Sequence, residues 1–320
     1  MKLVINFDIK DKYIEKMKKT VQPLEVVRSV DSDSLKREIV DTDILVSFGA
    51  PDLEIMDRAE NLKWIQSWTA GVDVFTGPDY LQFLIENEII LTSMSGVHSN
   101  IIAEHTMGFL INFSRRFCDF HQQQQNQVWQ QLKVDQLEGR TLGVVGLGSI
   151  GQEIAARGKA FKMNVIGSKR NVEKKVKAVD ELYSPDELSE LLRKSDYVVC
   201  IVPLTDETAG MFGKEEFKAM KDSAYFINVG RGEVVDQDAL IEALKQGRIA
   251  GAGLDVFEEE PLPEDSPLYR LKNVIITPHV AGVFPDYNQK AIKILNENLK
   301  KFYAGDFGQM VNMVDYNRGY

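Results

Sequence analysis

A glycine-rich segment in the middle of the chain constrains the fold more than any other feature. Residues 141–151 read TLGVVGLGSIG, an apolar run followed by the spacing Gly146-x-Gly148-x-x-Gly151 and then by a helical pattern. In such a strand-to-helix turn, Gly146 permits a tight turn, Gly148 lets the backbone approach a pyrophosphate, and Gly151 allows the helix to pack closely on the sheet. The first N–H groups of the helix, which favour phosphate oxygens, belong to Ser149 and Ile150. The segment therefore predicts an α/β domain that binds a dinucleotide.

Short apolar runs alternate with charged, helix-like stretches on both sides of this segment. In the first hundred residues the pattern predicts strands at Leu3–Phe7, Val26–Arg28, Ile44–Phe48, Trp64–Ser67 and Ile89–Thr92, with helices at Lys12–Thr20, Ser34–Val40 and Leu53–Arg58. A second series of strands is predicted at Arg140–Val145, Asn164–Ile166, Tyr197–Val202, Tyr225–Val229, Ala252–Val256 and Val274–Ile276. One long helix from Ser99 to about Gln127 separates the two series, and a last helix covers about Pro285–Tyr303. The alternation is typical of two α/β blocks, each with a mostly parallel sheet.

Length and charge narrow the class of protein. A chain of 320 residues usually folds into two domains, and a net charge of −10 is unfavourable for binding nucleic acid. No apolar run reaches the roughly 18 residues that a membrane helix needs, and the start of the chain lacks the pattern of a signal peptide. Cys118 and Cys200 are predicted to be buried, reduced thiols without metal-type spacing. We therefore expect a cytoplasmic protein that binds no metal, nucleic acid or membrane.

Three polar segments follow predicted strands in the second series. They read NVGRGEVVD at 228–236, LDVFEEEPL at 254–262 and TPHVAG at 277–282. Because ligands of open parallel sheets bind outside the carboxyl ends of the strands, side chains from all three segments can reach one crevice. The candidates for chemistry are Arg231, Glu260 and His279.

These three residue types suit the reduction of a carbonyl group by hydride transfer. Arg231 can bind a carboxylate or carbonyl oxygen with its planar guanidinium. His279 can supply the proton, and Glu260 can orient the imidazole and favour its charged form. Taken singly, each residue is better explained by a structural role: a surface arginine, a helix-capping glutamate or a loop histidine. Their order after a nucleotide-binding turn favours the catalytic interpretation.

Together with WTAGVD at 68–73, AEHTMG at 103–108 and VPLTDET at 202–208, these segments carry a family resemblance over nearly the whole chain. The sequence resembles the D-isomer-specific 2-hydroxyacid dehydrogenases, a group that includes glyoxylate/hydroxypyruvate reductases, D-lactate dehydrogenases and phosphoglycerate dehydrogenases. The resemblance is greatest to the glyoxylate/hydroxypyruvate reductases. It implies a hydride transfer between NADP(H) or NAD(H) and a small 2-oxo acid or 2-hydroxy acid.

The resemblance also implies a fold and a set of site residues. It predicts two Rossmann-like domains with a cleft between them: a discontinuous substrate domain at 1–100 and 281–320, and a dinucleotide-binding domain at 101–280. The long helix is expected to help build a homodimer. Arg231 would bind substrate, and Glu260 with His279 would form the acid pair. Backbone N–H groups that bind the substrate carboxylate would come from Ala70, Gly71 and Val72. Further cofactor contacts would come from Val202, Pro203, Thr208, Val229 and, at the nicotinamide carboxamide, Asp255.

The residues after the second strand of the nucleotide-binding block favour NADP over NAD. NAD-specific sites of this kind place an acidic residue there to hold the ribose hydroxyls. By the family's pattern that position falls at Lys169, and the segment offers a hydroxyl and two cations instead, at Ser168, Lys169 and Arg170. We therefore expect a preference for NADP(H), with NAD(H) as the alternative.

Two other functions remain open from the sequence. A phosphoglycerate-type dehydrogenase would want cations in the early substrate loops, and the loop SFGAPD at 47–52 has none. A nucleotide-sensing, corepressor-like interaction protein would keep the fold and many site residues. A 2-oxo acid reductase is the favoured interpretation, and the substrate itself does not follow from the sequence.

Overall fold

The computed structural model describes residues 1–317. Two compact units divide the chain: one holds Met1–Val97 and the chain from Phe284 onward, and the other holds His98–Val283. The predicted domain boundaries lie within three residues of these limits. The substrate and dinucleotide roles of the two domains stay predictions, and residues 318–320 of the predicted substrate domain lie outside the described residues.

The elements alternate along the chain as the sequence predicts. The strands are β1 (Lys2–Ile5), β2 (Glu25–Arg28), β3 (Ile44–Ser47), β4 (Trp64–Ser67), β5 (Ile90–Thr92), β6 (Thr141–Val145), β7 (Asn164–Ser168), β8 (Glu181–Tyr183), β9 (Tyr197–Cys200), β10 (Tyr225–Asn228), β11 (Gly251–Leu254) and β12 (Val274–Ile276). The helices are α1 (Asp11–Lys18), α2 (Ser32–Glu38), α3 (Leu53–Met56), α4 (Pro78–Glu86), α5 (Ser99–Arg115), α6 (Phe117–Gln125), α7 (Ser149–Ala160), α8 (Leu188–Lys194), α9 (Lys214–Ala219), α10 (Gln237–Lys245) and α11 (Tyr287–Ala304). Short 3-10 turns occupy Ile39–Asp41, Asp73–Phe75, Pro185–Glu187, Gly232–Val234, Pro267–Arg270 and Phe307–Gln309.

The first unit is built on a five-stranded parallel sheet in the order β2-β1-β3-β4-β5. β3 and β4 are buried at every position, as expected of central strands covered on both faces. Helix α11 comes late in the sequence but packs on the core of this unit. Its apolar residues recur three and four positions apart and form one buried face. The helix ends at Ala304 and is followed by Gly305, whose φ of 80° suits the left-handed conformation of a helix terminus.

The second unit is built on a seven-stranded parallel sheet in the order β12-β11-β10-β9-β6-β7-β8. The chain lays down β6, β7 and β8 toward one edge, returns to β9 beside β6, and then continues toward the other edge. The boundary between β6 and β9 is therefore the point where the strand order reverses, and ligands of such sheets bind outside the carboxyl ends of the strands there. The predicted architecture of two mostly parallel sheets flanked by helices is confirmed.

The long helix predicted from Ser99 to about Gln127 is wrong, because the chain breaks it at Arg116. This residue has a φ of 58°, in the left-handed region, and separates α5 from α6. The break is held locally: the Asn112 side chain accepts the N–H of Cys118 at 3.0 Å, and Arg116 Nε donates to Asp119 at 2.7 Å. Apolar residues continue at helical spacing on both sides, so periodicity alone does not reveal the turn.

The two cysteines differ in their surroundings, and the prediction that both are buried is wrong for Cys118. Cys118 is exposed in the first turn of α6, whereas Cys200 ends the central strand β9 and is fully buried. Burial raises the pKa of the Cys200 thiol to about 12. Within residues 1–317, no helix combines the length and apolar character required to cross a membrane.

Candidate active site

The glycine segment forms a tight turn between β6 and α7. Gly146 has a φ of 105°, which residues with a side chain rarely adopt. An ideal Cβ on Gly151 would lie 2.0 Å from the carbonyl oxygen of Gly146, so only glycine allows this approach of the helix to the strand. By contrast, a Cβ on Gly148 would meet open space. The room in front of Gly148 is therefore not needed by the fold and is available to a ligand.

The start of α7 can receive an anion. The turn is held by N–H groups of Gly146 and Leu147, which both donate to the Ser168 carbonyl at 3.2 Å. Ser149, exposed, and Ile150, half-buried, form the first turn, and no side chain among residues 1–317 caps the helix. Free N–H groups and the helix dipole together favour a phosphate. These residues fit the pyrophosphate of a dinucleotide.

The next strand end carries the residues expected to select between NADP and NAD. β7 runs two residues further than predicted, so Ser168 is its last residue and is only 4% exposed. Its hydroxyl is thus largely withdrawn from solvent, and the cations Lys169 and Arg170 form the accessible part of the segment. Arg170 also makes an ion pair of 2.6 Å with Glu207.

The loop after β9 approaches the same switch point of the sheet. Val202 and Pro203 follow this strand; Val202 is half-buried and Pro203 is exposed. Thr208 shapes the loop by donating to the Pro203 carbonyl at 2.7 Å. Val229, after β10, is only 5% exposed, and its N–H donates to the Cys200 carbonyl at 3.3 Å. A cofactor can therefore meet Val229 through its carbonyl oxygen, not through its side chain.

Asp255, directly after β11, is 1% exposed and organises the turn after β12. Its carboxylate accepts the Thr277 hydroxyl at 2.5 Å and the backbone N–H groups of Val280 and Ala281 at 3.0 and 2.9 Å. Its carbonyl oxygen accepts the N–H of His279 at 2.8 Å. Each of the three bonds to the carboxylate satisfies part of a charge that would otherwise be costly to bury.

The structure brings His279 and Glu260 into direct contact. His279 Nδ1 lies 2.7 Å from Glu260 Oε2, and the other carboxylate oxygen, Oε1, accepts the N–H of Phe257 at 3.1 Å. His279 has a φ of 50°, so the turn held by Asp255 fixes an uncommon backbone conformation. Among the described residues, none makes a hydrogen bond with His279 Nε2, and the side chain is 54% exposed. This nitrogen is free to meet a ligand.

Arg231 follows the neighbouring strand β10 in a closely packed loop. Asn228 fixes the loop, because its amide donates to the Arg231 carbonyl at 2.9 Å and its oxygen accepts the Gly230 N–H at 3.1 Å. A Cβ on Gly232 would lie 1.9 Å from the Phe257 carbonyl, so this loop lies directly on the segment that carries Glu260. The three catalytic candidates thus follow adjacent parallel strands, β10, β11 and β12.

In the first unit, the loop after β4 offers a row of backbone donors. The N–H groups of Ala70, Gly71 and Val72 have no acceptor among residues 1–317. The loop is shaped by Thr69, whose hydroxyl donates to the Gly71 carbonyl at 2.6 Å. Consecutive free N–H groups at a strand end are suited to an anion such as a carboxylate.

The sequence did not single out three residues that organise this site, which are His105, Asn228 and Thr277. Asn228 and Thr277 lie beside predicted catalytic residues, and His105 lies in the AEHTMG motif, so position was an available signal. Their hydrogen bonds run to residues distant in sequence and could not be read from it. Among the described residues, no group of three or more acidic, His or Cys side chains is placed to hold a metal ion.

Comparison with known proteins identifies relatives over most of the chain. The profile of the D-isomer specific 2-hydroxyacid dehydrogenase NAD binding domain matches residues 107–281. The chain is 35% identical over 303 residues to the D-3-phosphoglycerate dehydrogenase of Methanocaldococcus jannaschii, which covers 93% of this chain and 57% of that protein. It is 36% identical over 282 residues to the glyoxylate reductase of Thermofilum pendens, which covers 86% of this chain and 82% of that protein. The chain therefore spans little more than half the length of the first relative.

A solved structure is similar over the whole length of this chain. The crystal structure of a D-isomer specific 2-hydroxyacid dehydrogenase from Xanthobacter autotrophicus, in complex with NADPH and MES, matches with a TM-score of 0.87. The sequence identity is 30%, and the match covers 99% of each chain.

Two matched substitutions in the glycine segment distinguish the glycine needed for stability from the glycine needed for cofactor binding. Gly148→Ala places its methyl group in open space at a φ of −72°, so its Tm should stay within a few degrees of wild type. Its affinity for NADPH and NADH should fall about tenfold, because the methyl group occupies the path of the pyrophosphate. Gly151→Ala should lower the Tm, because its methyl group meets the Gly146 carbonyl. Thermal unfolding and fluorescence titration measure both effects, and normal cofactor affinity in Gly148→Ala would contradict this placement of the pyrophosphate.

Proposed function

The chain belongs to the D-isomer specific 2-hydroxyacid dehydrogenase family, whose members are NAD(P)-dependent oxidoreductases, and on this basis we propose that it reduces a small 2-oxo acid such as glyoxylate or hydroxypyruvate. One observation carries the proposal: the 2.7 Å contact between His279 Nδ1 and Glu260, with Nε2 left available. A histidine oriented on one nitrogen by a carboxylate can donate a proton from the other. That is the group a carbonyl reduction requires.

The proposed roles follow from the chemistry of each residue. When bound, the reduced nicotinamide supplies a hydride to the carbonyl carbon of the oxo acid. Arg231 binds the oxo acid through charge-assisted hydrogen bonds. His279 donates its Nε2 proton to the carbonyl oxygen as negative charge develops there, and the product is a 2-hydroxy acid. Glu260 stabilises the imidazolium that this transfer needs.

The remaining site residues bind and orient in this proposal. The free N–H groups of Ala70, Gly71 and Val72 receive the substrate carboxylate. Asp255 has one carboxylate oxygen, Oδ2, with a single backbone donor, and this oxygen can accept the amide of the nicotinamide carboxamide.

A phosphoglycerate-type dehydrogenase is the second candidate, and the 35% identity to the Methanocaldococcus jannaschii enzyme favours it. A phosphorylated substrate wants Arg or Lys in the substrate loops. The loop at 47–52, which follows β3, contains neither. This second candidate therefore ranks below a small, unphosphorylated oxo acid.

The function is tested by following NADPH and NADH oxidation with a panel of 2-oxo acids. The panel contains glyoxylate, hydroxypyruvate, pyruvate and phosphohydroxypyruvate. We expect the highest kcat/KM with glyoxylate or hydroxypyruvate. Highest activity with phosphohydroxypyruvate would establish the second candidate. No activity with any of them, while the protein still binds cofactor, would favour the corepressor-like interaction protein.

We further propose that the protein forms a homodimer. α6 and the segment that follows it expose large apolar side chains in the described chain, among them Phe117 at 56%, Val128 at 47% and Trp129 at 101%. Exposed apolar groups concentrated in one segment are typical of an association surface. Sedimentation equilibrium of wild type and Trp129→Glu tests the proposal, and a monomeric wild type would contradict it.

We also propose that the protein works in the cytoplasm. Its two free thiols fit a reducing compartment, and cell fractionation can test this location.

We expect Glu260→Gln to lower kcat/KM for the oxo acid by about 10-fold or more, the usual effect of losing a charge-assisted hydrogen bond. The Glu260 carboxylate lies 2.7 Å from His279 Nδ1 and orients the ring, and a neutral amide does so less. Cofactor affinity should change little. The measurement is kcat/KM for the oxo acid, with the exposed neighbour Glu259→Gln as the matched control. Near-normal kcat/KM in Glu260→Gln would remove Glu260 from its role.

Arg231→Lys should lower kcat/KM for the oxo acid by about 100-fold or more, because lysine cannot reproduce the bidentate geometry of a guanidinium. Cofactor affinity should change little, since the substitution keeps the charge. Arg270→Lys, at an exposed position of the same unit, is the control. Near-normal turnover in Arg231→Lys would make Arg231 a structural residue.

We propose that NADPH is the preferred cofactor. Lys169 stands where an NAD-specific site has an acid, and Arg170 follows it, so a 2′-phosphate offers both cations charge-assisted hydrogen bonds. The exposed Arg170–Glu207 ion pair competes with the phosphate, although such pairs contribute little in water.

The ratio of kcat/KM for NADPH to that for NADH tests this preference. We expect wild type to favour NADPH by about 10-fold or more. Lys169→Asp should shift the ratio toward NADH. Glu207→Gln should shift it further toward NADPH, because it removes a negative charge that lies 2.6 Å from the Arg170 guanidinium and opposes a phosphate there. A wild type that prefers NADH would refute the assignment.

A further inference from the structure

His105 lies outside the proposed catalytic pair, and it is hydrogen-bonded to Thr277, which is itself bonded to the carboxylate of Asp255. His105 lies in α5, one turn before Phe109, whose ring packs on β11 at Gly253. This packing brings His105 to the carboxyl ends of β11 and β12. There His105 Nε2 lies 3.0 Å from Thr277 Oγ1, and the Thr277 hydroxyl lies 2.5 Å from Asp255 Oδ1.

The direction of these two bonds follows from the donors available. An ionised carboxylate only accepts hydrogen bonds, so the single hydroxyl proton of Thr277 goes to Asp255. Thr277 Oγ1 must then accept from His105, and His105 must carry a proton on Nε2. His105, Thr277 and Asp255 thus form a row of two hydrogen bonds whose direction is fixed. His105 donates to Thr277, and Thr277 donates to the carboxylate of Asp255.

The end of this row is the carboxylate that shapes the turn of His279. Asp255 also accepts the N–H groups of Val280 and Ala281, which flank the left-handed conformation at His279. If Thr277 loses its donor, its hydroxyl can rotate to other acceptors, and the carboxylate loses its shortest hydrogen bond. The orientation of the turn is then less restricted.

We propose that His105 is a positioning residue: through Thr277 it orients Asp255 and thereby the turn that presents His279 to the substrate. The inference rests on the proposed function, because it assigns His279 as the proton donor. His105 touches neither substrate nor cofactor in this proposal. Its effect is therefore expected in kcat and not in the KM for the oxo acid.

The simpler interpretation is that His105 fills space. Its ring meets Phe109 edge-on at 4.9 Å, and its side chain is only 22% exposed. Substitutions that keep the volume and remove the N–H separate the two interpretations. His105→Leu removes the donor and retains bulk, whereas His105→Gln retains an N–H at a similar reach.

The first test is independent of activity and uses NMR of 15N-labelled histidine. In wild type, His105 should be protonated on Nε2, and this proton should exchange slowly with water. In Thr277→Val the same proton should exchange faster, whereas in Thr277→Ser it should stay protected. A neutral ring protonated only on Nδ1 would overturn the proposal.

The second test is a double-mutant cycle with NADPH and the best oxo acid. His105→Leu and Thr277→Val should each lower kcat roughly three- to tenfold, the usual effect of one hydrogen bond, with KM for the oxo acid little changed. The double variant should be no slower than the slower single variant, because both substitutions break the same row. His105→Gln should recover most of the wild-type rate, and Glu104→Gln, at an exposed position of α5, is the control.

The outcomes are distinct from those of the proposed function. A wild type inactive with every oxo acid would refute the proposed function, and the NMR measurement would still decide the hydrogen-bonded row. An active wild type with independent, multiplicative effects of the two substitutions, or with no recovery in His105→Gln, would overturn the positioning role.

Discussion

The buried carboxylate of Asp255 is the interaction on which the arrangement of the site depends. It lies at the end of β11 and binds the turn after β12 through one hydroxyl and two backbone N–H groups. Its own N–H donates to the Asn228 carbonyl at the end of β10. The three strand ends that carry Arg231, Glu260 and His279 are therefore joined around one charge. An ionised group in such a place requires donors on every side, and that requirement fixes the backbone around it.

Close backbone contacts at glycines set the rest of the geometry. Gly232 lets the Arg231 loop lie against Phe257, whose N–H in turn orients Glu260. Gly151 lets α7 approach the turn at Gly146 and places the helix N-terminus at the end of β6. Strand ends in a parallel sheet are already neighbours, and small residues let the loops that follow them pack without intervening side chains. The candidate catalytic residues and the glycine turn thus lie at one edge of one sheet.

Much of this could be predicted from the sequence, because the signals were local. Strands such as Trp64–Ser67 and Val274–Ile276 were predicted at their observed limits, since buried parallel strands are continuous apolar runs. The glycine spacing and the segments around Arg231, Glu260 and His279 were likewise visible. The break at Arg116, the three-residue strand β8 and the exposure of Cys118 were not predicted, because they depend on single contacts or on very short elements. The part proposed for His105 depends on the packing of Phe109, in α5, on Gly253, in β11, which lies 144 positions later in the sequence. No local pattern encodes this contact.

The most direct measurement of the central claim is a crystal structure of the protein with NADPH and oxamate, an unreactive analogue of a 2-oxo acid. The account predicts the oxamate carbonyl oxygen within about 3 Å of His279 Nε2, at hydrogen-bonding distance. It also predicts that the Arg231 guanidinium binds the same ligand, while His279 Nδ1 remains on Glu260. An oxamate bound with its carbonyl oxygen away from His279, and with another side chain placed to donate the proton, would contradict it.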